Sequence, residues 1–109
     1  MGIRIWLDDV RNPPPGTWVV HRSAEETLLL IESGLVTFID FDHDLGPDRL
    51  TGYDVAKKIE QLAHDGKIPP IEYSIHSGNP VGANNIDRAM KSAWRFWDQG
   101  AGAREGGSC

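Results

Sequence analysis

The chain has 109 residues, 39% hydrophobic and 25% charged, enough for one hydrophobic core and too few for a second domain. A formal net charge of -5 argues against general nucleic-acid or membrane-surface binding, although a small anionic ligand held through a cation stays open. No apolar run is long enough to span a bilayer, the N-terminus leads straight into a strand, and the single cysteine is the last residue, so the expected setting is cytoplasmic and disulfide-free.

Ile3-Arg4-Ile5-Trp6-Leu7 is short, β-favouring and nearly continuous in hydrophobicity, which predicts a strand covered on both faces. After Asp8 and Asp9 comes Pro13-Pro14-Pro15-Gly16, a segment that can be neither helix nor central strand and predicts a stiff connector. Thr17 to His21 predicts a second strand. It is expected to run parallel to the first, since roughly nine connector residues at about 3.3 Å each span about 30 Å, more than a five-residue strand needs. That connector is expected to cross a sheet face near Trp6 or Trp18. Ser23-Ala24-Glu25-Glu26 has the form of a capping box, the helix behind it carries Ala24, Leu28, Ile31 and Leu35 at helical spacing, and Gly34 is placed to end it.

Val36 to Phe41 predicts the third strand, with Asp40 and Asp42 on one face and Phe41 on the other. Gly46 to Gly52 reads as loop, and Thr51 or Asp54 can cap a helix whose Val55, Ile59, Leu62 and Ala63 form one stripe, with Gly66 ending it. Ile71 to Ile75 predicts a fourth strand that finishes at His76-Ser77-Gly78. Asn79-Pro80 has the form of an N-cap followed by proline, with Asn84 or Asn85 as later alternatives. Ile86, Met90, Ala93, Trp94 and Trp97 then line one face of the last helix, as core residues do. From Gly100 the chain has nothing to bury, so residues 1–99 are expected to form the domain and 100–109 an unstructured tail.

Two predicted strands end in carboxylates, Asp8-Asp9 and Asp42-His43-Asp44, and alternation of strands with helices puts such ends on one edge of a parallel sheet, where ligands bind. Crowded carboxylates repel unless a cation or protons neutralise them. Asp8, Asp9 and Asp42 are therefore expected to converge on a divalent cation, Mg²⁺ or Mn²⁺ for oxygen ligands and Zn²⁺ if a histidine joins. Asp8-Asp9 alone would read as a solvated turn; the second cluster is what changes that. His76 and Ser77, at a strand end facing a helix N-terminus, are candidates to contact a phosphate held by free backbone N–H groups, while His43 or His76 donates a proton to a leaving oxygen. The blander alternatives are a surface His43 flanked by aspartates and a buried His76 satisfied by a carbonyl. Arg11 is either an anion clamp or a partner of Asp8 or Asp9. His21 and His64, without acidic companions, read as structural.

Leu7-Asp8-Asp9, the Asp42 to Gly46 segment and Leu50-Thr51-Gly52-Tyr53-Asp54-Val55 resemble a response-regulator receiver domain, in which an acidic pair follows strand one and a phosphoacceptor aspartate ends strand three. The Asp8 to Gly16 connection has no room for the receiver's first helix, and nothing after the last helix supplies its fifth strand and lysine, so phosphorelay is disfavoured. The chain is more similar to cyclic-phosphate processing receiver-like domains, on Trp6-Leu7-Asp8-Asp9-Val10-Arg11, Asp42-His43-Asp44-Leu45-Gly46, Thr51-Gly52-Tyr53-Asp54 and His76-Ser77-Gly78-Asn79-Pro80-Val81-Gly82. The resemblance implies a compact flavodoxin-like three-layer α/β sandwich with about four mainly parallel strands, in the order 2-1-3-4, and three helices. It also implies a metal-binding group of Asp8, Asp9, Asp42 and Asp44, with His43 and His76 as polar or catalytic histidines and Arg11, Ser77 and Asn79 toward the substrate. Either Asp42 or Asp44 replaces the phosphoacceptor. The activity implied is a metal-dependent phosphoesterase acting on a cyclic phosphate or related nucleotide phosphodiester. The alternative is a non-catalytic module that binds a phosphorylated ligand or a protein partner.

Overall fold

A parallel sheet needs crossovers, and their direction decides which face each one covers. The structure, a computed structural model, describes residues 2–104, with side chains through Asp98. Its elements are β1 (Ile3–Leu7), β2 (Val19–His21), α1 (Ala24–Ile31), β3 (Val36–Phe41), α2 (Gly52–His64), β4 (Glu72–Ile75) and α3 (Pro80–Arg104). The strands form one sheet in the order β2-β1-β3-β4, with every neighbouring pair parallel. Ile5 lies opposite Val19 and Leu7 opposite His21, so the helix-free connector does join parallel strands, as its length allows.

From β2 through β3 to β4 the chain steps across the sheet in one direction, so right-handed crossovers put α1 and α2 on the same face. There α1 packs on α2 and α2 on α3. The step from β1 to β2 runs the other way and passes over the opposite face, where the connector takes the place of a helix. The third layer is accordingly thin. Trp6 Nε1–H donates to the Arg11 carbonyl at 2.9 Å, Trp18 meets Trp6 edge-on at 5.8 Å, and the Arg4 guanidinium lies 4.3 Å over the Trp18 ring.

The core lies between the sheet and the helices: Ile5, Leu7, Ile39 and Phe41 from the strands, Val55 and Ile59 from α2, Ile86 and Met90 from α3, all fully buried. Each contributes about 1.5–3 kcal/mol by leaving water. Trp94 and Trp97 sit at its margin, half-buried, with their indole N–H groups donating to the Ile71 and Ile68 carbonyls at 3.0 and 3.2 Å. Leu35, expected on the stripe of α1, is 59% exposed, because that helix ends at Ile31 and Gly34, at φ 77, turns the chain away.

The caps follow their residues. Ser23 accepts from the Glu26 amide, and Thr51 and Asp54 form a reciprocal capping box at the start of α2. Asn79 rather than Asn84 or Asn85 caps α3, its Oδ1 accepting from the Gly82 amide at 3.0 Å. Helix α3 continues past the expected boundary at residue 99 to Arg104, and the remainder of the expected tail, 105–109, lies outside the described residues.

Candidate active site

The register of the sheet builds the site. Trp6 pairs with Asp40 and Asp40 with Ser74, so these three side chains form one row across β1, β3 and β4. Two residues further along each chain, on the same face, come Asp8, Asp42 and His76. Backbone bonds carry the ladder into this next row, with the Asp42 amide donating to the Leu7 carbonyl at 3.0 Å and the His76 amide to the Phe41 carbonyl at 2.9 Å. One ligand atom from each of Asp8, Asp42 and His76 then lies within 4.8 Å of the others.

Within this row His76 is held on three sides. Its Nε2 is 2.9 Å from Asp8 Oδ2, its Nδ1 is 2.6 Å from Asp40 Oδ1, and its ring stacks on Trp6 at 4.0 Å between centroids with 6° between planes. Asp8 is fully buried, and its Oδ1 accepts from the Val10 and Arg11 amides at 2.9 and 2.8 Å. Burial pushes the Asp8 carboxyl up, but those two amides and His76 more than offset it and hold Asp8 below its ordinary value. Asp42 goes the other way: burial and then the Asp8 charge raise it, against His76, the His43 amide and the Ser77 hydroxyl. Neighbouring carboxylates shifted in opposite directions mark this row as a candidate functional site. The glycine at the start of α2 allows this crowding, since a Cβ on Gly52 would come 2.1 Å from the Asp42 carbonyl oxygen.

A second group stands at the rim. His43 Nδ1 lies 2.9 Å from Asp44 Oδ1, and Asn79 Nδ2–H reaches both Asp44 oxygens at 3.4 Å. The His43 ring rests on the first turn of α3, where a Cβ on Gly82 would fall 2.2 Å from it. Among the described residues, His43 Nε2 has no hydrogen-bond partner. Asp44 is held below its ordinary value, first by its bond to His43. The anion cradle expected at the α3 N-terminus is much reduced: Pro80 has no N–H, the Gly82 amide is taken by Asn79 Oδ1 and the Ala83 amide by the Asn79 carbonyl, which leaves the Val81 amide.

Of the expected ligands, then, Asp8 and Asp42 converge together with His76, whereas Asp9 and Asp44 do not join them. Asp9 turns toward the Gly46 loop, with its Oδ2 3.9 Å from where a Cβ on Gly46 would lie, and Asp44 turns to His43. Ser77 favours the charged form of Asp42, and its Oγ accepts from the Asn79 amide at 3.1 Å. Arg11 holds the strand end through its backbone; its side chain is exposed and forms no ion pair among the described residues, with Asp8, Asp9 or any other carboxylate. His21 is buried with Nδ1 2.9 Å from Thr27 Oγ1, and His64 pairs with Asp65 at 3.3 Å, away from the site. Three contributors were not anticipated: Asp40, Trp6 and Arg22. Arg22 donates to the Asp8 carbonyl at 3.0 Å and to Asn12 Oδ1 at 2.8 Å, which pins the loop that follows Asp8. Strand alternation carried a signal for Asp40; nothing in the sequence carried one for Arg22.

A family model described as the cyclic-phosphate processing receiver domain matches residues 3–92, a span that includes all four strands and every candidate site residue. No curated protein and no solved structure matches the chain. Among the described residues, no helix is long and apolar enough to cross a membrane.

Proposed function

The chain belongs to the family of cyclic-phosphate processing receiver domains, and on that premise we propose that it is a metal-dependent phosphoesterase that opens a cyclic phosphate or related nucleotide phosphodiester. The observation that carries this reading is the row of Asp8, Asp42 and His76, in which Asp42 is pushed up by burial and by its neighbour's charge. A cation between the two carboxylates would relieve that repulsion. Two carboxylate oxygens and an imidazole nitrogen suit Mn²⁺ or Zn²⁺ better than Mg²⁺, which prefers an all-oxygen shell. When bound, the cation supplies charge against the phosphoryl oxygens and acidifies an attacking water.

The chain's own residues divide the remaining work. His76, enclosed by Asp8, Asp40 and Trp6, is read as a ligand, and His43 as the proton donor. Asp44 and Asn79 fix His43 Nδ1, which turns Nε2 outward toward the leaving oxygen. In the reaction a water oxygen bonds to phosphorus, one ring P–O bond breaks, and the released oxygen takes a proton from His43. His43 recovers that proton from the water, so one water is added and a phosphomonoester results. The exposed Arg11 side chain and the Val81 amide are the groups available to the non-bridging oxygens.

One observation favours the second reading, a non-catalytic module that binds a phosphorylated ligand or partner: His76 already lies in hydrogen-bond contact with Asp8 and Asp40, so these groups partner one another from within. The two part on turnover. Nucleoside 2′,3′-cyclic phosphates and cyclic dinucleotides incubated with the protein and Mn²⁺ are followed by phosphorus NMR. Conversion of at least one to a ring-opened phosphate ester is expected; survival of all of them while Mn²⁺ and nucleotide still bind leaves the binding module.

A further inference from the structure

Asp40 lies one row behind the gathered ligands, outside the set of atoms that a cation would touch, yet its Oδ1 is 2.6 Å from His76 Nδ1. We propose that Asp40 is a positioning residue for this centre: by accepting from His76 Nδ1–H it leaves Nε2, the nitrogen that faces Asp8, as the one that would exchange its proton for a cation held with Asp8 and Asp42. The proposal rests on the reading that a cation is held by Asp8, Asp42 and His76.

An imidazole can serve a cation through only one nitrogen, and that nitrogen must carry no proton, so the other ring nitrogen must hold it. An ionised carboxylate can only accept, so Asp40 holds a proton on Nδ1; Asp8 faces Nε2 in the same way, and a cation that takes Asp8 as a ligand would displace the Nε2 proton and leave the Nδ1 one in place. Ring orientation is the second requirement. Trp6 meets it by stacking within 6° of coplanar at 4.0 Å, which opposes rotation of the ring out of its slot. Tautomer and ring plane are thus set by two residues that are not themselves ligands. The register explains why they are there: Trp6 and Asp40 are directly paired on β1 and β3, and His76 follows two residues after Ser74, the neighbour of Asp40 on β4. The side-chain pair is also sheltered, with His76 17% and Asp40 16% exposed, so solvent competes poorly for Nδ1.

The test uses the full chain with Asp40→Asn and Asp40→Glu, and Asp65→Asn as a surface Asp–His control, since Asp65 faces His64 away from the site. Asparagine can present an N–H to Nδ1 and so favours the opposite tautomer. Two readouts are taken: Mn²⁺ affinity by calorimetry, and the protonation of His76 Nδ1 by ¹⁵N NMR with and without Zn²⁺. Asp40→Asn is expected to weaken Mn²⁺ binding by about 10- to 100-fold and to strip the proton from Nδ1. Asp40→Glu should keep that proton and fall between in affinity, and Asp65→Asn should match the wild type. Wild-type affinity together with a protonated Nδ1 in Asp40→Asn would overturn the proposal. If the wild type binds no Mn²⁺, the cation reading fails instead, and the Nδ1 measurement still decides whether Asp40 sets the tautomer.

Discussion

His76 and His43 each sit 2.9 Å from an aspartate, yet the two pairs are built for different purposes. His76 faces a wholly buried Asp8, has a second carboxylate behind it and a tryptophan beneath it. His43 faces an Asp44 that is 66% exposed and leaves Nε2 free among the described residues. The surroundings, not the residue types, separate them. The open face of the sheet encloses one pair and fixes its geometry; the rim leaves the other within reach of a ligand. Removing one partner of a buried pair strands the other and costs about 3–5 kcal/mol, whereas an exposed pair contributes about 0–1 kcal/mol.

The largest expected effect is at Asp8. Asp8→Ala removes the acceptor of two backbone amides as well as the partner of His76, and urea denaturation should record a loss of about 3 kcal/mol or more. Asp44→Ala, the matched change at the rim, should cost no more than about 1 kcal/mol while turnover falls. If both cost the same, the contrast between the pairs is wrong.

Catalysis should divide the same way. His43→Ala is expected to lower kcat by about 100-fold or more with Mn²⁺ affinity unchanged, as for a lost proton donor. His76→Ala should lose Mn²⁺ binding and turnover together.

A smaller effect has the opposite sign. The folded pKa of Asp42 lies above its ordinary value of 3.8, because burial and Asp8 oppose its charge, so ionising Asp42 costs stability. That cost is absent below the unfolded value and complete once the pH exceeds the folded one. Asp42→Asn should therefore raise Tm at pH 7 without added metal, and the gain should vanish as the pH falls below 3.8. A lower Tm for the variant at pH 7 would mean that the site is not strained by charge.

His21 gives the baseline of burial acting first, with Glu26 opposing it weakly. Burial lowers its pKa from 6.5, so its neutral form supports the fold above that value and support is lost as the pH drops through it. A thermal melt series from pH 7.5 to 5.5 should show a small loss in Tm in the wild type that His21→Gln lacks.

What could be read from the sequence was local. The helix caps at Ser23 and Thr51, the helix-free parallel connection and the polar strand ends each depend on residues a few positions apart, and all are found, although the reciprocal capping box expected at Ser23 forms instead at Thr51 and Asp54. Which aspartates converge depends on register between strands. Asp8 and His76 are 68 residues apart, and Asp40 and His76 are 36 apart. Alternation alone places Asp40 and Asp42 on one face, but it cannot say that the histidine just after β4 reaches Asp40 with one ring nitrogen and Asp8 with the other. Asp9 illustrates the converse: adjacent to Asp8 in sequence, it points to the Gly46 loop, because consecutive residues leave a strand in opposite directions.

The central claim is that Asp8, Asp42 and His76 form one cation centre from which Asp9 and Asp44 stand apart. Calorimetric titration of Mn²⁺ into the wild type, Asp42→Asn, His76→Ala, Asp9→Asn and Asp44→Asn tests it directly. Binding is expected in the wild type, Asp9→Asn and Asp44→Asn, and lost in Asp42→Asn and His76→Ala. Retained binding in His76→Ala with loss in Asp9→Asn or Asp44→Asn, or no binding to the wild type at millimolar Mn²⁺, would contradict it.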